Sequence, residues 1–136
     1  MLCSKTALSN YEVNRKKDCM YVDHGLHGIA STVAQLHEIP GSNEEAWKPV
    51  QYVSRALTKT EEGYSRVDGE SLGILSGVKV HKQYLNGTQF EVVVDHEPLV
   101  SLYNKKNELP ARVAKHIDKL KCFQFKVIHQ SGSKIQ

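Results

Sequence analysis

The feature that most constrains the fold is a short apolar strand that ends in an acid. Residues 90–94 have the sequence FEVVV, and Asp95 follows them directly. A short apolar run without polar alternation is typical of a central strand that is covered on both faces. An acid at the end of such a strand needs a partner that compensates its negative charge, because burying an unpaired charge costs free energy. The run therefore predicts an α/β fold with a charged group at one edge of its sheet.

The remaining segments predict four more strands and three helices. Residues 19–23, 28–36 and 50–54 are predicted as strands, with a polar loop over residues 39–49. Because the links between them are short, these three strands predict an antiparallel meander. Helices are predicted over residues 60–85, 98–103 and 110–121, and a fifth strand over residues 123–129. The predicted order is β-β-β-α-β-α-α-β.

The long predicted helix contains glycines at every fourth position, which is unusual in a helix interior. We expect Thr60 to cap its N-terminus, with two glutamates in the first turn. Each interior glycine costs about 1 kcal/mol relative to alanine. We interpret Gly73 and Gly77 as sites of close packing on a neighbour, and Gly69 as unconstrained sequence drift.

Two further acids suggest a metal site together with Asp95. Asp23 closes the apolar run over residues 19–22, and Glu70 lies inside the long predicted helix. Three carboxylates that met in the fold could bind a divalent cation, since hard cations such as magnesium take oxygen ligands. Two alternatives stay open at this point. Glu70 alone could be a surface helix acid, and the chain could be an unrelated small metal-binding protein.

Length and composition indicate one globular domain. The chain has 136 residues, of which 40% are hydrophobic, enough for a single well-buried core. We expect a polar leader or upstream remnant at residues 1–18 and the folded domain at residues 19–136. The N-terminus is too polar for a secretory signal, so an intracellular location, cytoplasmic or nuclear, is expected without membrane association.

A basic cluster suggests contact with a polyanion, although a charged face is more often simply solvated. The net charge is only +3, but basic residues crowd one region that contains few acids. These residues are Lys105, Lys106, Arg112, Lys115, His116, Lys119 and Lys121.

Three sequence blocks, taken together, resemble the ribonuclease H domain of gypsy-type LTR retrotransposon reverse transcriptases. The longest is KPVQYVSRALTKTEEGYSRVDGESLGILSGVKVHKQYLNGTQFEVVVDHEPLVSLYNKK, at residues 48–106. YVDHGLHGIASTVAQ resembles the first-strand block of that family, and FQFKVIHQSGSK resembles its closing strand. The resemblance covers residues 21–134, with the blocks in the family's order and at matching separations.

The resemblance implies a ribonuclease H-like fold, a mixed five-stranded sheet flanked by helices. It implies endonucleolytic cleavage of the RNA strand of RNA–DNA hybrids. Asp23, Glu70 and Asp95 match catalytic carboxylates that hold two Mg²⁺ ions, with Mn²⁺ as the alternative ion. Implied partners are the hybrid and the polymerase and connection regions of a parent polyprotein. The expected substrate-contact residues are Arg55, Lys105, Lys106, Arg112, Lys115 and Lys119, although Arg55 could equally form a structural salt bridge.

Several positions depart from the family pattern. The family's fourth carboxylate and its C-terminal helix would fall beyond Gln136, so we expect a truncated domain in which a second ion binds weakly. His24 places a ring beside the predicted metal site, and Gly69 softens the helix just before Glu70. These departures leave one alternative function open, a catalytically inactive domain that acts as a nucleic-acid-binding or protein-contact module.

Overall fold

The structure is a computed structural model that describes residues 15–39, 41, 44–105 and 109–130. Within these residues a single five-stranded sheet has the strand order β3-β2-β1-β4-β5. The first three strands pair antiparallel as a meander, whereas β4 and β5 run parallel to β1. The predicted mixed sheet is therefore confirmed. The strands are β1 (Arg15–His24), β2 (Gly28–Glu38), β3 (Glu45–Ala56), β4 (Gln89–Val94) and β5 (Gln124–His129).

The first and third strands extend several residues beyond their predicted bounds. β1 begins at Arg15, inside the segment predicted as a leader, of which residues 1–14 lie outside the described part. β3 begins at Glu45, so the loop predicted over residues 39–49 is wrong in its second half. Pairing with β2 along its length overrides the loop-like composition. Pro49 fits because β3 is an edge strand and the register shifts next to it, where no ladder N–H is required.

The helices of the described part are α1 (Lys59–Glu62), α2 (Arg66–Val80), α3 (Lys82–Leu85), α4 (Glu97–Lys105) and α5 (Ala111–Lys119). The single helix predicted over residues 60–85 is therefore wrong, because it is divided into three. None of these helices, within the described residues, has the length and apolar character that a membrane span requires.

Capping side chains explain the first of the two divisions of the predicted long helix. Thr58, rather than the predicted Thr60, caps α1, and it forms a capping box with Glu61. A new helix then starts at Ser65, whose hydroxyl accepts a hydrogen bond from the backbone N–H of Asp68. Each capping group satisfies backbone donors at a helix start, and this favours two helices over one.

The core lies between the sheet and α2. Val92 and Val94 belong to this core, whereas the buried Val93 packs among other strand residues on the opposite face of the sheet. Helix α2 rests on β1 and β2 through two glycines. A Cβ atom at Gly73 would lie 2.6 Å from Val22 Cγ1, and one at Gly77 would lie 2.9 Å from Met20 Sδ. The predicted close packing of these two glycines is confirmed.

We predict that Gly73→Ala lowers the free energy of unfolding by about 1–2 kcal/mol. The added methyl group overpacks the contact with the buried Val22, and this outweighs the better helix propensity of alanine. Urea unfolding at neutral pH measures the change. Gly63→Ala is the matched control, because its Cβ atom would meet only ordinary contacts at an unstrained φ of −86°. Equal stabilities of the two variants would contradict the packing argument.

Candidate active site

The parallel pairing of β1 with β4 brings two of the predicted acids to one edge of the sheet. The last paired residues are Tyr21 and Val93. Asp23 and Asp95 each lie two residues beyond this pair, at the carboxyl ends of their strands, and both are exposed. Parallel strands end at the same edge of a sheet, so the two carboxylates share one rim of the domain.

Glu70 is the third predicted acid, and together with Asp23 and Asp95 it forms what we call the acid cluster. It lies in the second turn of α2 and is only 3% exposed, and its Oε1 atom has no hydrogen-bond partner among the described residues. Burial, with smaller contributions from the charges of Asp23 and Asp95, raises the pKa of its carboxyl group to about 7. The three predicted acids therefore lie within electrostatic reach of one another.

Arg66, which the sequence analysis did not single out, also belongs to this cluster. Its Nη2 atom donates a hydrogen bond to the backbone carbonyl of Asp95 at 3.1 Å. Its Nε atom lies 3.8 Å from Glu70 Oε2. The positive charge acts against burial and holds the pKa of Glu70 lower than it would otherwise be. The spacing of four residues between Arg66 and Glu70 on one helix was the signal in the sequence.

His24 fills the space that Gly69 leaves open. A Cβ atom at Gly69 would lie only 2.2 Å from His24 Nε2, so the ring packs directly against the helix backbone. The interpretation of Gly69 as drift is therefore wrong. Two departures from the family pattern compensate each other, since the bulky ring is accommodated by the absent side chain. Burial and the charge of Arg66 lower the pKa of His24, which favours its neutral form.

Two further histidines border the cluster. The Nε2 atom of His96 is buried and has no hydrogen-bond partner among the described residues. Burial, together with the nearby charge of Arg66, lowers the pKa of His96. At the end of β5, His129 Nε2 lies 4.0 Å from Asp95 Oδ1. The acid cluster is thus surrounded by ring nitrogens and one guanidinium group.

The carboxylates suit a hard cation by their chemistry, although they are not gathered around one point. Across residues 15–39, 41, 44–105 and 109–130, no three His, Cys, Asp or Glu side chains are close enough to hold a metal ion as they stand. The oxygen donors nevertheless match the preference of Mg²⁺, and the buried Oε1 atom of Glu70 has no hydrogen-bond partner in the described part of the chain. Metal binding by Asp23, Glu70 and Asp95 stays a prediction.

Arg55, one of the predicted substrate contacts, is engaged in a structural ion pair. Its two terminal nitrogens donate to the two carboxylate oxygens of Glu61 at 2.9 and 3.1 Å. This bidentate bond lowers the pKa of Glu61 to about 2, with help from the backbone N–H of Thr58. The pair ties the end of β3 to the first turn of α1.

The basic residues of α5 lie on a helix that contacts α2, the helix that carries Glu70. Arg112 Nη1 donates to Asp68 Oδ2 at 2.7 Å, and its guanidinium group lies 4.1 Å from the ring centroid of Tyr64. Lys115 and Lys119 are exposed on the same helix. Asp68 lies two residues before Glu70 on α2, and side chains at this spacing lie on different faces of a helix.

Three members of the predicted basic cluster do not contribute to the described surface of α5. His116 is buried and shares a 2.7 Å hydrogen bond with Ser71 Oγ, and burial lowers its pKa. Its inclusion among surface charges was therefore wrong. The side chain of Lys105 and all of Lys106 lie outside the described residues.

Comparisons with known proteins agree with this arrangement. The family described as RNase H-like domain found in reverse transcriptase matches residues 14–123. The chain is 36% identical over 84 residues to the Retrovirus-related Pol polyprotein from transposon 297 of Drosophila melanogaster, covering 62% of this chain and 8% of that protein. It is 26% identical over 135 residues to the Transposon Tf2-3 polyprotein of Schizosaccharomyces pombe, covering 97% of this chain and 10% of that protein. The chain thus spans about a tenth of the length of these relatives.

A solved structure shows the same fold at low sequence identity. LC11-RNase H1, determined in complex with an RNA/DNA hybrid, superposes with a TM-score of 0.63 at 13% identity, covering 87% of this chain and 88% of that one. Such a likeness supports the ribonuclease H-like fold expected from the sequence. Since the family match covers most of the residues, the chain belongs to the RNase H-like domains found in reverse transcriptases, as a domain of the retrotransposon type.

Proposed function

We propose that this domain is the ribonuclease H of a retrotransposon reverse transcriptase and cleaves the RNA strand of RNA–DNA hybrids. The observation that carries the proposal is the buried carboxylate of Glu70, which lies within electrostatic reach of Asp23 and Asp95 and whose Oε1 atom has no hydrogen-bond partner among the described residues. Burying a carboxyl group beside two other acids is costly, and a cation site is a functional reason to retain it. The hybrid bound in the LC11-RNase H1 structure supports the substrate class.

Asp23, Glu70 and Asp95 would hold two divalent ions, Mg²⁺ or Mn²⁺. Bound ions of this kind lower the pKa of water and stabilise negative charge on a phosphodiester. Asp23 and Asp95 are exposed and leave the rim open to a nucleic-acid backbone, while the buried Glu70 anchors the inner side. The exposed acids, rather than Glu70, would therefore face the scissile phosphate.

Helix α5 would hold the duplex beside the acids. Arg112, Lys115 and Lys119 are spaced by three and four residues, so they follow one face of the helix. Contacts between such cations and phosphates bind nucleic acid without reading its sequence. The hydrogen bond from Arg112 to Asp68 fixes this face relative to α2. In the parent polyprotein, polymerase and connection regions would deliver the hybrid to this surface.

We predict that Asp95→Asn reduces cleavage of the labelled RNA strand of a hybrid by roughly 100-fold or more, because it removes one charged ligand. The assay follows product formation with Mg²⁺ or Mn²⁺. Glu91→Gln is the matched control, since Glu91 lies four residues before Asp95 and is paired with Lys17. Binding of the hybrid without cleavage by the unaltered domain would contradict the proposal and support an inactive binding module.

The basic face of α5 gives a prediction about salt dependence. Replacing both Lys115 and Lys119 with glutamine should weaken hybrid binding and reduce the slope of log affinity against log salt by about 1.8, since each phosphate contact contributes about 0.9. Fluorescence anisotropy between 50 and 200 mM salt, as rough limits, measures the slope. Lys48 and Lys82, which are exposed elsewhere, provide a charge-matched double variant. An equal change in both double variants would show that α5 has no special contact.

The raised pKa of Glu70 gives a prediction about stability and pH. The folded state binds a proton more tightly than the unfolded state, whose usual pKa is 4.5, so stability falls as pH rises from about 4.5 through about 7. Glu70→Gln should therefore stabilise the domain at pH 8 by up to about 3 kcal/mol and have little effect below pH 5.

Urea unfolding at several pH values without divalent cations tests this prediction. Glu97→Gln, at an exposed acid in the first turn of α4, is the control and should show no comparable pH dependence. A pH-independent effect of Glu70→Gln would mean that the buried carboxyl group does not titrate in this range. Added Mn²⁺ at pH 8 should stabilise the unaltered domain more than the Glu70→Gln variant.

A further inference from the structure

We propose that Arg66 is a built-in counter-cation of the acid cluster that competes with the divalent cation and has to withdraw when the cation binds. This inference rests on the proposed function, because it assumes that Asp23, Glu70 and Asp95 bind the ion. In this proposal Arg66 controls the affinity of the acid cluster for the cation. Neither the sequence pattern nor the family match gives this position such a role.

Arg66 contacts both Asp95 and Glu70. Its guanidinium group reaches from α2 to the end of β4, where it bonds the backbone carbonyl of Asp95 at 3.1 Å. On its own helix it lies 3.8 Å from the carboxylate of Glu70. Its charge also acts on the rings of His24 and His96, which border the same cluster. A single positive charge therefore lies among the groups that would surround a bound cation.

The guanidinium group of Arg66 would compete with a bound metal ion for the same carboxylates. It has only donors and no lone pair, so it cannot join a metal ion as a ligand. A guanidinium group and a divalent cation repel each other and favour the same carboxylate oxygens. Glu70 Oε2 cannot interact fully with both, while Oε1 lacks a hydrogen-bond partner among the described residues. Each cation that enters the cluster consequently weakens the attraction that holds Arg66.

The contacts of Arg66 with the acid cluster are weak enough to break when a cation binds. The side chain of Arg66 is 59% exposed, and the 3.8 Å separation from Glu70 is longer than a hydrogen bond. Arg66 is also the first residue of α2, where the helix dipole disfavours a positive charge. Attraction to the acids offsets this cost in the absence of metal. Once a cation neutralises them, solvent is the better environment for the guanidinium group.

Direct measurement of cation binding tests the proposal without relying on cleavage. Mn²⁺ titrations, followed by the electron paramagnetic resonance signal of the free ion, give the affinity of the unaltered domain and of Arg66→Gln. We expect the variant to bind Mn²⁺ about tenfold more tightly, as expected for removing one nearby charge at a surface site. Arg66→Lys keeps the charge on a flexible stem but loses the planar fork, so its affinity should lie between the two.

Lys79→Gln is the matched control, because it removes the same charge from the last turn of the same helix. It should leave Mn²⁺ affinity within about twofold, since a charge that far away is screened. Thermal unfolding without cations establishes that each variant is folded. Asp95→Asn should abolish most Mn²⁺ binding, and this locates the ion in the cluster.

The outcomes separate the two proposals. Equal Mn²⁺ affinities of the unaltered domain and Arg66→Gln would overturn competition by Arg66 and leave the nuclease proposal standing. An equal gain in Lys79→Gln would also overturn it, because the effect would then come from net charge alone. If folded domain binds no Mn²⁺, with or without Arg66, both proposals fail.

Discussion

The parallel pairing of β1 with β4 is the constraint on which the site depends. Its register places Asp23 and Asp95 at equal distances beyond the last paired residues, so two distant parts of the chain present acids at one rim. Helix α2 adds the third acid only because Gly73 and Gly77 let it approach β1 and β2 closely. A side chain at either glycine would push the helix outward and Glu70 with it. Sheet register and helix packing together therefore fix the acid cluster.

Gathering acids has an electrostatic cost, and the structure offsets it in part with Arg66. The pKa of Glu70 is raised to about 7 even with this guanidinium group close by, because burial dominates. The compensation is incomplete, since Oε1 of Glu70 stays without a partner among the described residues. If the cluster were purely structural, we would expect this oxygen to accept a hydrogen bond, because most buried polar groups in proteins have a partner. The partial compensation is thus an argument for a site that accepts an external cation.

The sequence was sufficient to predict the mixed sheet and that Asp23 and Asp95 would lie near Glu70, but not the local surroundings of these acids. The apolar run at residues 90–94 predicted an inner strand, and the structure buries its three consecutive valines. The extent of β3 could not be predicted, since its polar first half is held by pairing with β2 rather than by its own composition. The bond from Arg66 to the backbone carbonyl of Asp95 and the fit of His24 against Gly69 were missed for a related reason. Both depend on contacts between α2 and strand ends that no local pattern encodes.

Buried polar bonds connect the acid cluster to the basic face of α5. The hydroxyl group of Ser71 is within 2.7 Å of both His116 Nδ1 and Tyr103 Oη, which joins α2 to α5 and α4 in the core. Ser71 directly follows Glu70, and Asp68 holds Arg112 on the outside of the same turn. One turn of α2 thus fixes the acid and the neighbouring basic helix at once. A rotation of α2 that moved Glu70 would break the buried bonds of Ser71, so the geometry of the acids and that of the basic face are mechanically linked.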